Sequence, residues 1–243
     1  MFTTNHFIWL GLCALAIILG SIFAVKFKMK ERVACSVMFV ISLFSEISKM
    51  LCNMEECDGG FVLGPNALPL HMCSLLLFVE AAILFMKDGP LREKLKSFYT
   101  PVAIGGGILA MLIPTNGVNF LELKAYQCFV YHAGLVWLAF YFIGAKKVDL
   151  GFRSYIRNMV MMFLIALGSI YVNSILSVYE TNFLYTRKPP MDNLPILNLD
   201  HGWPVYMLTL MAAGLVIFTA VQLPAMIAER KAKKKENVPS VGT

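Results

Sequence analysis

Seven long apolar runs dominate the sequence, and they decide what the chain can fold into. All but the shorter fourth run approach the roughly 20 apolar residues that a helix needs to cross a bilayer. Only 15% of the residues are charged, against roughly 25% in a soluble domain. We therefore predict an all-α polytopic membrane protein, a bundle of seven transmembrane helices. The runs cover residues 7–25, 33–52, 68–86, 98–113, 124–143, 156–179 and 204–227.

The basic residues predict the orientation of this bundle. Most of the 21 Lys and Arg residues lie after runs one, three and five, or in the C-terminal tail. The positive-inside rule then places the N-terminus outside and the C-terminus in the cytoplasm of a cell membrane. The net charge of +6 is mostly a topology signal, so a nucleic-acid partner is not expected. The exceptions to the pattern are Lys49, Lys124, Arg187 and Lys188.

The chain reads as one membrane domain, residues 1–228, followed by a basic cytoplasmic tail, residues 229–243, without fixed structure. The first run lacks the preceding basic segment of a signal peptide, so we expect it to be a retained span. The six cysteines are scattered and no CxxC occurs, which argues against a zinc site or a disulfide framework. Whether Cys52 and Cys57 in an outer loop are bridged stays open.

Polar and ionisable residues gather near the outer ends of the runs. Counting ~1.5 Å per residue places Cys73 roughly 8–9 Å, and His132 roughly 12 Å, below the outer ends of their runs. Such groups are costly at membrane depth and indicate a functional site. The inner half of the runs reads as nearly pure hydrocarbon, which predicts a polar cavity open toward the outer leaflet. Glu46, Lys49, Gln127 and Asn173 share this outer depth.

Cys73 and His132 are the candidate nucleophile and base. A thiol is weakly ionised at neutral pH and needs a base to become a nucleophile. His71 is two residues from Cys73 and points to another side of the helix, so a histidine from another helix is the better partner. A plain alternative is that the cysteine fills space and the histidine bonds across helices. Glu46 and Lys49, three residues apart, are most simply a self-neutralising pair.

Three segments, in order along the chain, resemble motifs of a known family. Leu68–Cys73 resembles the proline–leucine–histidine–x–cysteine motif of the YwaF-like integral membrane proteins, bacterial relatives of the vertebrate transmembrane protein 164 family. Tyr126–His132 resembles an aromatic–glutamine stretch ending in histidine, and Thr181–Pro189 resembles a third motif in the last outer loop. Ser74 follows the cysteine where many bacterial relatives carry an acidic residue, and Glu46 is a candidate substitute for that carboxylate.

The resemblance implies a seven-helix fold. For the vertebrate members it also implies a cysteine-dependent acyltransferase that moves a fatty acyl chain between phospholipids in remodelling ether lipids. Carried over, Cys73 is the nucleophile and His132 its base, whereas the substrate does not carry over. Our own hypothesis is a transacylase that forms a thioester on Cys73, with phospholipid and lysophospholipid as substrates and no cofactor or metal. We expect supporting or oxyanion-binding roles for His71, Gln127, Asn173 and Glu46. We expect headgroup binding by Asn182, Tyr185, Arg187 and Lys188, although interfacial solvation explains the last two equally well.

Two other functions stay open. The same site with water as the acceptor is a lipid ester hydrolase. A small transporter or sensor is the non-enzymatic alternative, and it expects polar groups at the bilayer midplane and broken helices there. In it, a pathway would be lined by Glu46, Lys49, His71 and His132. The apolar inner half of the runs favours the enzyme.

Overall fold

A computed structural model describes residues 2–57, 59–115, 117–191, 194 and 196–236. The predicted all-α bundle is confirmed: seven α-helices carry the described part of the chain. Helices α1 to α7 are Thr4–Lys26, Glu31–Cys52, Met72–Phe85, Pro90–Leu112, Leu123–Gly144, Phe152–Ile175 and Trp203–Glu236. Short 3-10 turns form at Pro65–Ala67, Ser177–Tyr179 and Phe183–Tyr185.

A small antiparallel hairpin connects α2 to α3. Strand β1, Met54–Cys57, pairs with β2, Gly60–Leu63. Gly59 and Gly60 turn the chain with φ of +101° and +154°, where a side chain would be strained. The thiols of Cys52 and Cys57 are both free.

Six of the seven helices are long and apolar enough to cross a membrane, and α3 is the shorter one. We predicted a span from Leu68, but α3 starts at Met72 and has 14 residues. Leu68 is extended, with φ −56° and ψ 145°, because a residue that precedes proline is pushed out of the helical region. His71 is also extended and forms the N-cap of α3. The third run therefore starts as irregular chain and becomes helical only at its motif cysteine.

Helices α2 and α3 run antiparallel to each other. Lys49, near the end of α2, donates to Ser74 at the start of α3. Arg32, at the start of α2, donates to the carbonyls of Leu84 and Met86 at the end of α3. We call the end that holds Lys49 the outer end, following the positive-inside rule.

Helix α5 lies at the centre of the bundle and packs against α1, α2 and α4. Phe129, Leu135 and Phe142 of α5 are fully buried. Gly107 of α4 allows a close approach, because a Cβ there would lie 3.1 Å from the carbonyl oxygen of His132. This packing fixes the backbone around the predicted base.

The inner half of the bundle is not the nearly pure hydrocarbon that we predicted. Glu80 is 1% exposed and accepts hydrogen bonds from Ser42 (2.5 Å) and Tyr99 (3.0 Å). Asn158 of α6 donates to Gln222 of α7 over 3.1 Å. The partners in each of these contacts lie in different apolar runs, so the sequence does not pair them, and only helix packing brings them together.

A buried charge cluster closes the inner end. Arg92 and Lys96 follow the N-terminal proline of α4, where we expected a loop, and they are only 3% and 2% exposed. Glu31 Oε1 of α2 forms ion pairs with both, 2.7 Å from Arg92 Nη2 and 3.2 Å from Lys96 Nζ. Burial of cations is tolerated when such partners are present.

Helix α7 runs further than the expected span. The structure is helical to Glu236, so residues 229–236 are helix where we predicted a tail without fixed structure. Glu229 accepts a hydrogen bond from the Phe152 N–H at the start of α6, over 3.0 Å, and a carboxylate is stabilised at a helix N-terminus. Residues 237–243 of the predicted tail lie outside the described part of the chain.

Candidate active site

Two side chains from separate helices meet near the outer end of the bundle. Cys73 Sγ of α3 lies 3.1 Å from His132 Nε2 of α5. His132 is 8% exposed, whereas Cys73 is half-buried. The distance is that of a hydrogen bond from the thiol to the imidazole.

The contact of the second ring nitrogen, Nδ1, determines the tautomer of His132. Nδ1 lies 2.6 Å from the backbone carbonyl oxygen of Cys128. A carbonyl oxygen only accepts hydrogen bonds, so Nδ1 carries the hydrogen and Nε2 of the neutral ring offers its lone pair. That lone pair is directed at Cys73, which is the arrangement required for proton transfer from the thiol to the ring.

Cys73 is the second residue of α3, and this position was missed because we expected the helix to begin at Leu68. The first hydrogen bond of the helix runs from Leu75 N–H to His71 C=O. The amides of residues 72–74 precede it and point their N–H groups away from the helix. The positive end of the helix dipole stabilises a thiolate placed there.

Tyr131 is a residue that the sequence did not assign a role. Its hydroxyl donates to the carbonyl oxygen of Cys73 over 2.5 Å. Tyr131 precedes His132, so this bond ties the base's helix directly to the nucleophile's backbone. The available signal was a tyrosine beside the histidine in an otherwise apolar helix.

Glu46, Lys49 and Ser74 form a closed polar triangle next to the nucleophile. Lys49 Nζ lies 2.5 Å from Glu46 Oε1, which confirms the expected pair. Ser74 Oγ donates to Glu46 Oε2 over 2.8 Å and accepts from Lys49 over 2.9 Å. The residue that follows Cys73 is therefore joined to a carboxylate through its hydroxyl.

Asn173, which we expected to bind an oxyanion, is committed elsewhere. Its Nδ2 donates to Phe183 C=O and Thr186 Oγ1 at 3.0 Å and 2.8 Å, and its Oδ1 accepts from the Phe183 N–H at 2.9 Å. These contacts lie within α6 and the last outer loop. Asn173 therefore anchors that loop, and the supporting or oxyanion-binding role that we expected for it stays a prediction.

Gln127 and His71 each contact a neighbouring element of the bundle. Gln127 Nε2 donates to Ser45 Oγ of α2 over 2.9 Å. The His71 ring packs against Phe183 and Tyr185, with ring centroids 5.3 Å and 5.9 Å away. His71 therefore joins the start of α3 to the last outer loop, and the supporting role that we expected for it stays a prediction.

The residues expected to bind the headgroup divide into two kinds. Asn182 Oδ1 accepts from the amides of Arg187 (3.0 Å) and Lys188 (3.1 Å), and its Nδ2 donates to the Lys188 carbonyl. Its amide shapes the loop, and the headgroup contact expected for Asn182 stays a prediction. Arg187 and Lys188 are exposed at the outer end, and headgroup binding by them and by Tyr185 stays a prediction.

Comparison with known proteins identifies the family of the chain. A family model described as the TMEM164 family matches residues 1–221. The chain belongs to the TMEM164 family. The TMEM164 match includes α3 and α5, and with them Cys73 and His132. No curated protein and no solved structure matches this TMEM164 family member. Its resemblance to the YwaF-like branch stays a prediction.

Proposed function

We propose that this TMEM164 family member is a membrane-embedded acyltransferase that moves a fatty acyl chain between phospholipids through a thioester on Cys73. The observation that carries the proposal is the 3.1 Å contact between Cys73 Sγ and His132 Nε2. It is supported by the hydrogen bond from His132 Nδ1 to Cys128, which leaves Nε2 free to accept a proton.

The first half-reaction forms the acyl-enzyme. His132 Nε2 takes the thiol proton while the sulfur of Cys73 attacks the ester carbonyl of a donor phospholipid. The carbon–oxygen ester bond breaks, and the leaving lysophospholipid oxygen takes the proton back from the imidazolium. The products are a thioester on Cys73, a lysophospholipid and neutral His132, and dividing the transfer into two steps is what covalent catalysis provides.

The second half-reaction returns the enzyme to its starting state. The hydroxyl of an acceptor lysophospholipid gives its proton to His132 and attacks the thioester carbonyl. The carbon–sulfur bond breaks, a new oxygen ester forms, and the sulfur of Cys73 regains the proton from the imidazolium. Neither half-reaction calls for a cofactor or metal.

The oxyanion that develops in both steps needs hydrogen-bond donors. With Asn173 engaged in the outer loop, the backbone amides at the start of α3 are the better candidates, and those of Cys73 and Ser74 are the nearest in sequence to the sulfur. Positively polarised helix N-termini suit this role. We place the reaction at the outer leaflet of the cell membrane, on the basis of the positive-inside orientation.

The proposal is tested by trapping the acyl-enzyme. Purified wild-type protein in nanodiscs is incubated with phosphatidylcholine that carries a radiolabelled acyl chain, and label bound to protein and released by hydroxylamine is measured. We expect label on the wild type and none on Cys73→Ser. Cys57→Ser, which changes an exposed cysteine of the hairpin, is the matched control and keeps the label.

The product distinguishes transfer from hydrolysis at the same site. Addition of lysophospholipid to the trapped acyl-enzyme yields labelled phospholipid if the enzyme is a transferase, and labelled free fatty acid if water is the acceptor. Undiminished acyl transfer by Cys73→Ser removes Cys73 from the mechanism.

The buried Glu80, with Ser42 and Tyr99, favours a second candidate, a transporter or sensor. This polar group near the middle of the bundle removes the apolar inner half as an argument for the enzyme. The preference for the enzyme then rests on the pairing of Cys73 with His132. Solute uptake into proteoliposomes that is lost in Glu80→Leu, together with no acylation of Cys73, reverses the preference.

A further inference from the structure

A groove of about 250 Å³ runs between α2 and α5 in the same half of the bundle as Cys73. It is lined mainly by apolar side chains of both helices, with hydroxyl and amide groups toward the outer end. The lining includes Val40, Phe44 and Ser45 of α2, and Gln127, Val130 and Tyr131 of α5. It is lined by neither Cys73 nor His132.

The groove opens toward lipid. Val40, Phe44 and Val130 are 50%, 68% and 47% exposed in the isolated chain, and both helices are of membrane-spanning length. The lining of α2 extends from Val40 to Ser48, which is roughly 12 Å along the helix axis. Such an elongated apolar surface within the bilayer is in contact with hydrocarbon and not with dissolved solutes.

Tyr131 connects the groove to the candidate active site. Its side chain forms part of the groove wall, and its hydroxyl donates to the carbonyl oxygen of Cys73. The residue after it is His132. A single side chain, that of Tyr131, thus connects the groove to Cys73, which we propose to carry the acyl group.

We propose that this groove binds the fatty acyl chain carried on Cys73, and that it sets the chain length accepted. This inference rests on the proposed function, because the acyl-enzyme is what brings a chain to this place. A second copy of the protein is the other occupant available in a membrane. Close helix association there favours small residues such as Gly and Ala, whereas this groove is lined by Val, Ile, Leu, Phe and Tyr apart from two serines and Gln127.

Filling the groove tests the proposal against a matched control. Val40→Trp fills the lining, and Val160→Trp makes the same change on α6 at a residue equally exposed to lipid, 52% against 50%. Acylation of Cys73 is measured with butanoyl and hexadecanoyl phosphatidylcholine. We expect the ratio of long-chain to short-chain rates to fall at least about tenfold in Val40→Trp, since one methylene group in an apolar pocket can change rates that much. The ratio stays at its wild-type value in Val160→Trp.

A second measurement does not depend on activity. Cys73→Ala protein in nanodiscs is irradiated with phosphatidylcholine that carries a diazirine near the middle of its acyl chain, and the labelled peptides are mapped by mass spectrometry. We expect more label on α2 and α5 lining peptides than on α6, with the excess lost in Val40→Trp.

The outcomes separate the two proposals. Short-chain acylation with an unchanged chain-length ratio in Val40→Trp overturns the groove assignment and leaves the acyltransferase intact. No acylation of the wild-type protein with either donor overturns the acyltransferase, and the labelling pattern then decides only whether the groove holds the acyl chain of a bound phospholipid. Even labelling of all three helices, or cross-links between two copies across this face, counts against an acyl chain.

Discussion

His132 Nδ1 lies 2.6 Å from the backbone carbonyl oxygen of Cys128, one turn earlier in α5. The helix itself thus selects the tautomer that presents a free Nε2 lone pair to Cys73. Many catalytic histidines are oriented by a carboxylate, but a carbonyl of the same helix performs that orientation here. Glu46 is engaged with Lys49 and Ser74, so the pair of Cys73 and His132 is arranged without it.

Replacing His132 by Asn separates the roles of its two ring nitrogens. The Asn amide can still donate near the position of Nδ1, but no base remains near Cys73 Sγ. We expect the single-turnover rate of Cys73 acylation to fall by roughly 10²–10⁴-fold, the usual worth of a general base, with little change in thermal stability. His201→Asn, at an exposed position, is the control and keeps the wild-type rate. A wild-type rate in His132→Asn excludes His132 as the base.

Tyr131→Phe tests whether the hydroxyl holds the two helices in register. Without the bond to the Cys73 carbonyl, the sulfur and the imidazole are less well aligned, and misplacement by about 1 Å can cost roughly 10²-fold in rate. We expect kcat to fall about 10- to 100-fold and the rate of Cys73 alkylation to lose its wild-type pH profile. Tyr141→Phe removes a comparable bond at the other end of α5, to Met29 C=O over 2.8 Å. That variant loses stability, by about 1 kcal/mol, and not activity. Equal kinetics in the two variants contradict a positioning role.

The sequence predicted the helical bundle, because long apolar runs carry that information. The depth counted for Cys73 assumed a helix from Leu68 and was wrong in that respect, since Cys73 is the second residue of α3. The sequence did not predict that α3 starts at Met72, since the extended chain before it is as apolar as a helix. Nor did it predict that Asn173 hydrogen-bonds to the last outer loop, because its partners at Phe183 are backbone groups, which every residue has. The contacts of Glu80 with Ser42 and Tyr99 were not predicted for a similar reason: the three residues lie in separate runs, and only the packing of the helices pairs them.

Asn173→Leu tests the loop anchor. It removes both hydrogen bonds donated by Nδ2 and leaves the Phe183 N–H without its side-chain acceptor, and burial of an unsatisfied amide costs roughly 1–3 kcal/mol. We expect faster hydrogen–deuterium exchange in residues 182–188 with the exchange of α4 and α5 unchanged. The matched control Asn198→Leu alters an asparagine that caps a short turn further along the same connection. If exchange in 182–188 stays at the wild-type rate, Asn173 does not anchor the loop.

Glu31→Gln tests the charge cluster at the inner end. The substitution keeps the size of the side chain but removes the carboxylate that faces the buried Arg92 and Lys96. Breaking a buried ion pair costs roughly 3–5 kcal/mol because a buried charge loses its partner. We expect the lower end of that range, since Arg92 keeps Asp88 and Lys96 keeps Glu93 as partners.

The control for this change is Glu93→Gln, which removes a carboxylate that also pairs with Lys96 but whose side chain is 51% exposed. An exposed ion pair contributes at most about 1 kcal/mol, so the two variants are expected to differ by about 2 kcal/mol or more in the free energy of unfolding. Reversible unfolding in mixed micelles at increasing SDS measures that difference. Because the cluster lies at the opposite end of α2 from Glu46 and Lys49, the acylation rate of folded Glu31→Gln protein should match the wild type. A loss of acylation without a loss of stability would instead mean that the inner end is coupled to the candidate active site.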